Sequence, residues 1–262
     1  MLIFQFTMRT KLFQSLKSEI KRVYGFTKRS INFIPFENWR NKLRTYPNQF
    51  DEEYIKNLAL LRRKLKINNL QEVKNSNKRL IFFIGIPGAG KTTLAKIIQK
   101  SVPNTILLRG ADIVDALHLF DKRKVDTYRK RLKARKFNNP DPWYISYLYQ
   151  EHLIRDCLKA GYNVVFDDHI RTRVNRFGYY KLARQFNSKI VFIQVNASFK
   201  TYVEREEGKV NDAKLKFLAN MILQSEDLSK EERKKYDKII MVDGTSKLGE
   251  IKKYLLPKIK KA

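Results

Sequence analysis

The residues with the clearest chemistry lie in one run, which reads Gly85-Ile86-Pro87-Gly88-Ala89-Gly90-Lys91-Thr92. It matches the pattern G-x-x-x-x-G-K-[ST], the P-loop, whose backbone amides close around a polyphosphate. Lys91 is expected to reach the β- and γ-phosphates, and the Thr92 hydroxyl is expected to ligate Mg²⁺. We expect the following residues to contact the nucleotide: Gly85, Pro87, Gly88, Ala89, Gly90, Lys91, Thr92 and Thr93.

The segments on either side of this loop support the interpretation. The apolar run 80–84 precedes it and predicts a buried strand, and the segment 91–101 predicts a helix that begins at the lysine. Chance matches to the pattern rarely have both a strand before the loop and a helix after it.

Acidic residues follow two other predicted strands. Asp167 and Asp168 end the apolar run 162–166, where a carboxylate can help hold Mg²⁺, and we assign that metal role to Asp167. Asp112 follows the strand 104–108, where it could accept the proton of an attacking hydroxyl or simply cap a helix. Asp168 and Asp115 are the competing candidates for the general base, so Asp112 and Asp168 both enter the predicted catalytic set.

Strands and helices alternate from Arg79 onward. Strands are predicted at 80–84, 104–108, 162–166, 189–195 and 238–242, and helices at 91–101, 111–119, 125–136, 143–160, 173–186, 199–206, 212–227 and 247–258. Continuous apolar strands joined by helices are typical of a parallel sheet covered on both faces. The predicted fold is therefore α/β, a doubly wound five-stranded parallel sheet with ligands at the carboxyl ends of the strands.

The segment 1–78 is predicted to be a basic α-helical N-terminal extension with a linker, and 79–262 the nucleotide-binding domain. Residues 1–79 contain 18 Lys and Arg against 6 Asp and Glu. Tyr54, Leu58 and Leu61 recur at helical spacing, so 51–66 predicts an amphipathic helix. This helix could pack on the core, contact a partner, or do both.

The composition indicates which binding partners and which cellular compartment to expect. The formal net charge of the 262 residues is +29, which favours polyanions: nucleic acid first and an anionic membrane surface second. An AT-rich coding sequence would also raise the lysine content.

Cys157 is the only cysteine, which excludes an internal disulfide and points to a reducing compartment. No apolar run approaches the ~20 residues of a membrane span. The first 18 residues faintly resemble an organellar transit peptide, but a basic helix and a cytoplasmic location are the preferred prediction.

From Arg79 to about Thr245 the chain resembles the small P-loop kinases that include polynucleotide 5′-hydroxyl kinases, the seryl-tRNA kinase of selenocysteine synthesis and the zeta toxins. The resemblance rests on the P-loop, Asp112, the pair Asp167-Asp168, Arg176, a lid (about 203–230) with Arg205, and a last strand followed by Asp243. It implies ATP and Mg²⁺ as cofactors, a catalytic Arg205 that neutralises charge on the transferred group, and a substrate contact for Arg176.

Three features of the sequence depart from this family pattern. Asp115 stands where these kinases often have an arginine that positions the substrate, and Arg109 could substitute for it. His169-Ile170 replaces a frequent Thr-Asn, and the lid has Lys209 where a second arginine is common.

A basic insert (about 120–142) carries nine Lys and Arg between Asp121 and Phe137. Basic charge beside the aromatic residues Tyr128 and Phe137 suits single-stranded or looped nucleic acid, and also a nucleotide sugar. A solvated basic helix is the plain alternative. We therefore expect the substrate to contact Arg109, Arg129, Arg131 and Arg176.

Together these features predict an ATP- and Mg²⁺-dependent phosphotransferase acting on a hydroxyl of RNA, tRNA or DNA. One alternative is a zeta-toxin-like or small-molecule kinase whose acceptor is a nucleotide sugar or nucleoside. The other is a non-catalytic protein that binds nucleic acid in a nucleotide-dependent way. The sequence leaves the acceptor, the nucleotide preference and the oligomeric state undetermined.

Overall fold

In a computed structural model of the chain, residues 52–119, 121, 142–168, 170, 172–205, 221–222 and 225–262 are described. The predicted helix 125–136, most of the predicted lid helix 212–227, the substrate candidates Arg129 and Arg131, and residues 1–51 lie outside that set.

The described residues form a parallel sheet in the order β2-β3-β1-β4-β5. Its strands are β1 (Arg79–Ile84), β2 (Thr105–Arg109), β3 (Asn163–Asp167), β4 (Lys189–Asn196) and β5 (Lys238–Asp243). The bounds of the predicted strands are confirmed to within one residue at each end. The predicted fold class, an α/β fold with a five-stranded parallel sheet, is also confirmed. Register fixes the site, because Arg109 at the end of β2 lies opposite Asp167 at the end of β3.

Helices cover both faces of the sheet. They are α1 (Glu52–Lys64), α2 (Lys91–Ser101), α3 (Gly110–Ala116), α4 (Pro142–Lys159), α5 (Arg173–Gln185), α6 (Phe199–Arg205), α7 (Lys230–Lys235) and α8 (Leu248–Lys260). The helix predicted at 111–119 ends earlier, at Ala116, because His118 adopts a left-handed φ of 49° that breaks the helical path.

Alternate side chains of β1 pack in two different hydrophobic cores, one on each face of the sheet. Leu80 and Phe82 pack in the core that also contains α1, α4 and α5 residues, whereas Ile81 and Phe83 pack with α2 and α8. Both cores are apolar, as a sheet buried on both sides requires.

The helix α1 belongs to the first of these cores. Tyr54, Leu58 and Leu61 are buried there, and the Tyr54 ring stacks on Tyr149 of α4 with centroids 4.6 Å apart. The predicted amphipathic helix is therefore confirmed, and it packs on the core. No helix in the described part of the chain is both long and apolar enough to cross a membrane.

Candidate active site

The P-loop connects the central strand β1 to the helix α2. Gly88 and Gly90 adopt left-handed φ angles of 72° and 97°, which favour glycine. Gly88 also lies against an aromatic ring, since a Cβ there would come within 2.6 Å of Tyr202. The loop can thus curl tightly and direct its amides and the N-terminus of α2 toward one point.

Lys91 is buried at this point. Its Nζ donates hydrogen bonds to the carbonyl oxygens of Gly85 (2.9 Å) and Ile86 (2.8 Å) within its own loop. Burial lowers the pKa of Lys91 to about 8, while the carboxylates of Asp167 and Asp168 act in the opposite direction. A polyphosphate would give this ammonium stronger partners than the two carbonyls.

Thr92 and Asp167 meet across the edge of the sheet. Thr92 Oγ1 donates a hydrogen bond of 2.7 Å to Asp167 Oδ2. A hydroxyl and a carboxylate are oxygen donors of the kind that Mg²⁺ prefers. Among the described residues there is no group of three or more His, Cys, Asp or Glu that could hold a metal. The pair therefore fits Mg²⁺ that takes its other ligands from phosphates and water, as this ion commonly does.

Arg109 lies beside this pair, at the end of β2. Its Nη1 forms an ion pair with Asp112 Oδ1 (2.8 Å), and its Nε lies 3.6 Å from Asp167 Oδ2. Within the described residues, that buried Nε has no hydrogen-bond partner. Arg109 thus links the candidate base to the candidate metal ligand and retains donor capacity for an anion.

The carboxylate of Asp168 accepts a hydrogen bond from a buried side-chain amide. Gln150 Nε2 donates to Asp168 Oδ2 (2.7 Å) and to Ser146 Oγ (3.1 Å), and Gln150 Oε1 accepts from the Tyr179 hydroxyl (3.3 Å). Gly110 leaves room for this contact, because a Cβ there would lie 2.2 Å from Asp168 Oδ2. The network fixes the orientation of a buried carboxylate close to Lys91.

A cavity of about 630 Å³ runs along the carboxyl edge of the sheet. Its walls include the P-loop, Arg109, Asp167, Asp168, Arg205 and Leu248. Leu248 is half-exposed and adds apolar surface to the wall. The volume and this mixture of polar and apolar lining suit a nucleotide.

Arg205 connects the P-loop to the segment that follows β5. Its guanidinium donates to the carbonyl of Gly88 in the P-loop (2.9 Å) and to the carbonyl of Gly244 after β5 (2.5 Å). Asp243, the last residue of β5, accepts hydrogen bonds at its Oδ1 from the backbone amide and the hydroxyl of Thr245.

Neither Asp112 nor Asp115 forms part of the cavity wall, although both lie on α3 at the same edge. The Asp112 side chain is 38% exposed, whereas Asp168 is buried at the cavity wall. The two candidate general bases therefore differ in their exposure to solvent. Asp112 faces solvent beside the cavity, and Asp168 is buried in the cavity wall.

The structure does not support the expected substrate contact of Arg176. Its guanidinium is fully buried and forms an ion pair with Glu232 (Nε–Oε1 2.6 Å). It also donates to the carbonyl oxygens of Glu226 and Asp227. The physical reason is the helix α7, which the sequence analysis missed and which brings Glu232 under α5.

No sequence pattern marks Gln150, Gly110 or the apolar wall residue Leu248 as part of the site. Gln150 is an interior residue of a helix, and no spacing links it to Asp168. A signal did exist for α7, because Ser229 and Glu232 form a capping box at its start.

The segment 80–226, more than half of the chain, matches the family described as "AAA domain" (AAA_33). No curated protein matches the chain. Among solved structures, it is similar to one from the PezAT chromosomal toxin-antitoxin system of Streptococcus pneumoniae, with 16% identity and a TM-score of 0.52 over 81% of this chain and 92% of that one.

Two further structures are similar at lower scores. A gluconokinase from Sinorhizobium meliloti has 20% identity and a TM-score of 0.46, over 72% of this chain and 94% of that chain. A sugar kinase from Janibacter has 14% identity and a TM-score of 0.47, over 70% and 95%. With its P-loop, its parallel sheet and the match over 80–226, the chain belongs to the AAA domain family (AAA_33) and has a P-loop kinase-like fold.

Proposed function

We propose that the protein is an ATP- and Mg²⁺-dependent kinase that transfers the γ-phosphoryl group to a hydroxyl. The observation that carries the proposal is the Thr92–Asp167 contact beside the buried Lys91. It joins the phosphate-binding loop to a carboxylate at the same sheet edge, the arrangement that phosphoryl transfer requires.

Each side chain then has a defined part. Lys91 and the loop amides hold the β- and γ-phosphates, and Thr92 and Asp167 hold Mg²⁺, which neutralises phosphate charge when bound. The acceptor oxygen forms a bond to the γ-phosphorus while the bond from that phosphorus to the β–γ bridging oxygen breaks, which releases ADP. The solvent-facing Asp112 takes the hydroxyl proton.

Two arginine side chains line the cavity. Arg109 and Arg205 both belong to its wall, and Arg205 also contacts the P-loop, so each can stabilise negative charge that develops during transfer. The buried Asp168 supports the charge of Lys91 rather than meeting the acceptor.

For the acceptor we propose a nucleic-acid hydroxyl, on RNA, tRNA or DNA. The support is the net charge of +29, which attracts polyanions. The second candidate is a small anionic acceptor such as a nucleotide sugar. Its support is the resemblance of the sequence to the zeta toxins, together with the fold shared with a structure from the PezAT toxin-antitoxin system.

The test of activity uses γ-labelled ATP and compares Lys91→Ala with Lys96→Ala, an exposed lysine of the same helix. Removal of one preorganised donor to developing negative charge typically costs about 10²–10³ in kcat, so Lys91→Ala should lose at least that much while Lys96→Ala keeps its activity. Full phosphotransfer by Lys91→Ala contradicts the proposal.

Asp112→Asn separates an enzyme from a nucleotide-binding module. An enzyme should lose turnover and keep ATP binding, measured by calorimetry. A binding module should show no turnover before or after the substitution and should keep its ATP binding.

The acceptor is identified by a panel of 5′-hydroxyl RNA, DNA, tRNA and nucleotide sugars. Label in the nucleic acids supports the first candidate. Label only in a nucleotide sugar, with no effect of added RNA, supports the second.

A further inference from the structure

One surface outside the cavity combines stacked aromatic rings with exposed cations. Phe177 and Tyr180, on the outer side of α5, have ring planes 7° apart and centroids separated by 6.1 Å. Neither ring is fully buried. The Tyr180 ring also packs against the buried Tyr236, which anchors the pair to the core.

Three exposed cations lie over these two rings. Lys181 Nζ is 4.5 Å from the centroid of the Phe177 ring and Lys235 Nζ is 5.1 Å from it, while the Arg184 guanidinium lies 5.3 Å from the Tyr180 ring. Two helices supply the charges, since Lys235 belongs to α7 and the others to α5. We call these five residues, Phe177, Tyr180, Lys181, Arg184 and Lys235, the basic aromatic surface.

Nearby carboxylates cancel only part of this charge. Arg184 forms an ion pair with Asp237 (3.1 Å), and at the start of α5 Arg173 lies 3.7 Å from Glu231. Among the described ion pairs, none includes Lys181 or Lys235.

We propose that the basic aromatic surface binds single-stranded nucleic acid. A base can replace an ammonium on an aromatic face, because base stacking contributes about 1–3 kcal/mol and an exposed cation–π contact only about 0.5–1 kcal/mol. The displaced lysine then meets the backbone phosphate. A duplex has no free base faces to offer, so the surface selects single strands or loops.

The helix that carries most of this surface begins at the edge of the sheet on which the cavity lies. The helix α5 begins at Arg173, shortly after Asp167 ends β3, and Phe177 lies about 8 Å along the helix from its N-cap Thr172. A strand held there can present a terminal or looped hydroxyl toward the cavity. This inference rests on the proposed nucleic-acid acceptor and gives that acceptor a docking surface.

Binding is measured by fluorescence anisotropy with a labelled single-stranded RNA of about 12 nucleotides, on the full chain without ATP. Phe177→Leu should weaken binding about tenfold, because it removes one stacking face. The matched control is Tyr254→Leu, since Tyr254 is an exposed ring with Lys258 above it (4.5 Å) but belongs to no such surface.

Substitution of the two exposed lysines gives a second test, because it changes the charge of the surface and leaves its aromatic rings in place. The double variant Lys181→Gln/Lys235→Gln should reduce the slope of log affinity against log salt by about 1.4, from about 0.7 for each phosphate contact with a single strand. Lys252→Gln/Lys253→Gln, two exposed lysines of α8, should leave the slope unchanged.

Location is read by photocrosslinking with 4-thiouridine RNA followed by trypsin digestion and mass spectrometry. A crosslink on the peptide 177–181 supports the proposal. Crosslinks confined to other peptides, equal losses in the control variants, or binding of anionic vesicles in place of RNA overturn it. ATP turnover is measured in parallel, so kinase activity without RNA binding defeats this inference alone, and RNA binding without turnover defeats the proposed function alone.

Discussion

Thr92 and Asp167 are 75 residues apart in the chain, yet Thr92 Oγ1 donates a 2.7 Å hydrogen bond to Asp167 Oδ2. The contact exists because β1 and β3 are neighbours in the parallel sheet and their carboxyl ends share one edge. It makes the loop and the acidic strand end a single unit, and that unit can be tested by its response to Mg²⁺.

We expect Thr92→Val to require at least about tenfold more Mg²⁺ for half-maximal activity. The valine keeps the branched shape and removes the hydroxyl, which is one of the two side-chain oxygens proposed to ligate Mg²⁺. Thr92→Ser retains the hydroxyl and should behave as wild type. The measurement is a Mg²⁺ titration at saturating ATP, and an unchanged midpoint in Thr92→Val would remove Thr92 from the metal site.

Gln150→Leu should reduce kcat/KM by about 10- to 100-fold, because the buried Asp168 loses a charge-assisted hydrogen bond and its fixed orientation. Ser146→Ala is the matched control, since it removes only the other contact of the same amide group. Tyr179→Phe removes the hydrogen bond that sets which way the amide faces. It should therefore show a smaller loss of the same kind.

Steady-state kinetics on folded protein separate this positioning role from simple destabilisation. If Gln150→Leu lowers the melting temperature but leaves kcat and KM unchanged below that temperature, the Gln150 contact is purely structural.

The sequence could predict the elements that rest on local pattern. The predicted helix 91–101 matches α2 at both ends, and the strand 80–84 matches β1 apart from Arg79. The phosphate-binding residues were also accessible, because a P-loop is continuous in sequence. These features depend on periodicity and on turn chemistry, which neighbouring residues specify.

The rest depends on pairs that no local pattern encodes. Gln150 meets Asp168 because α4 packs along the sheet, and Arg176 meets Glu232 because α7 packs under α5. In both cases the deciding partner lies far enough away in sequence that only the folded chain reveals it. Arg176, which matches the family pattern, is therefore buried away from the cavity wall, whereas Gln150, which matches no pattern, contacts the site residue Asp168.

Cys157 should resist thiol reagents until the protein unfolds. Burial raises the pKa of this thiol to about 12, so at pH 8 only about one molecule in 10⁴ carries the reactive thiolate. The rate of labelling with a disulfide reagent across a urea series should follow global unfolding measured by circular dichroism. Rapid labelling in native buffer would show instead that α4 separates from the sheet under native conditions.

The buried Arg176–Glu232 pair leads to the last prediction, on stability. Removing one partner of a buried ion pair leaves an uncompensated charge, which costs about 3–5 kcal/mol. Arg176→Ala should therefore lower the free energy of unfolding by about that amount in urea titrations. The exposed Arg173→Ala should change it by about 1 kcal/mol or less.

The pH dependence gives this pair a second test. Burial acts to raise the pKa of Glu232, but hydrogen bonds from Arg176 and Ser229 outweigh it, so the pKa lies below its ordinary value of 4.5. A carboxylate with a lowered folded-state pKa stabilises the protein above pH 4.5, and that contribution is lost as the pH falls through the folded-state pKa. Glu232→Gln should lack this acid-sensitive component, whereas wild type should show it. If Arg176→Ala instead leaves stability intact and raises only the KM for the acceptor, Arg176 contacts the substrate after all, and the buried pair does not represent the protein in solution.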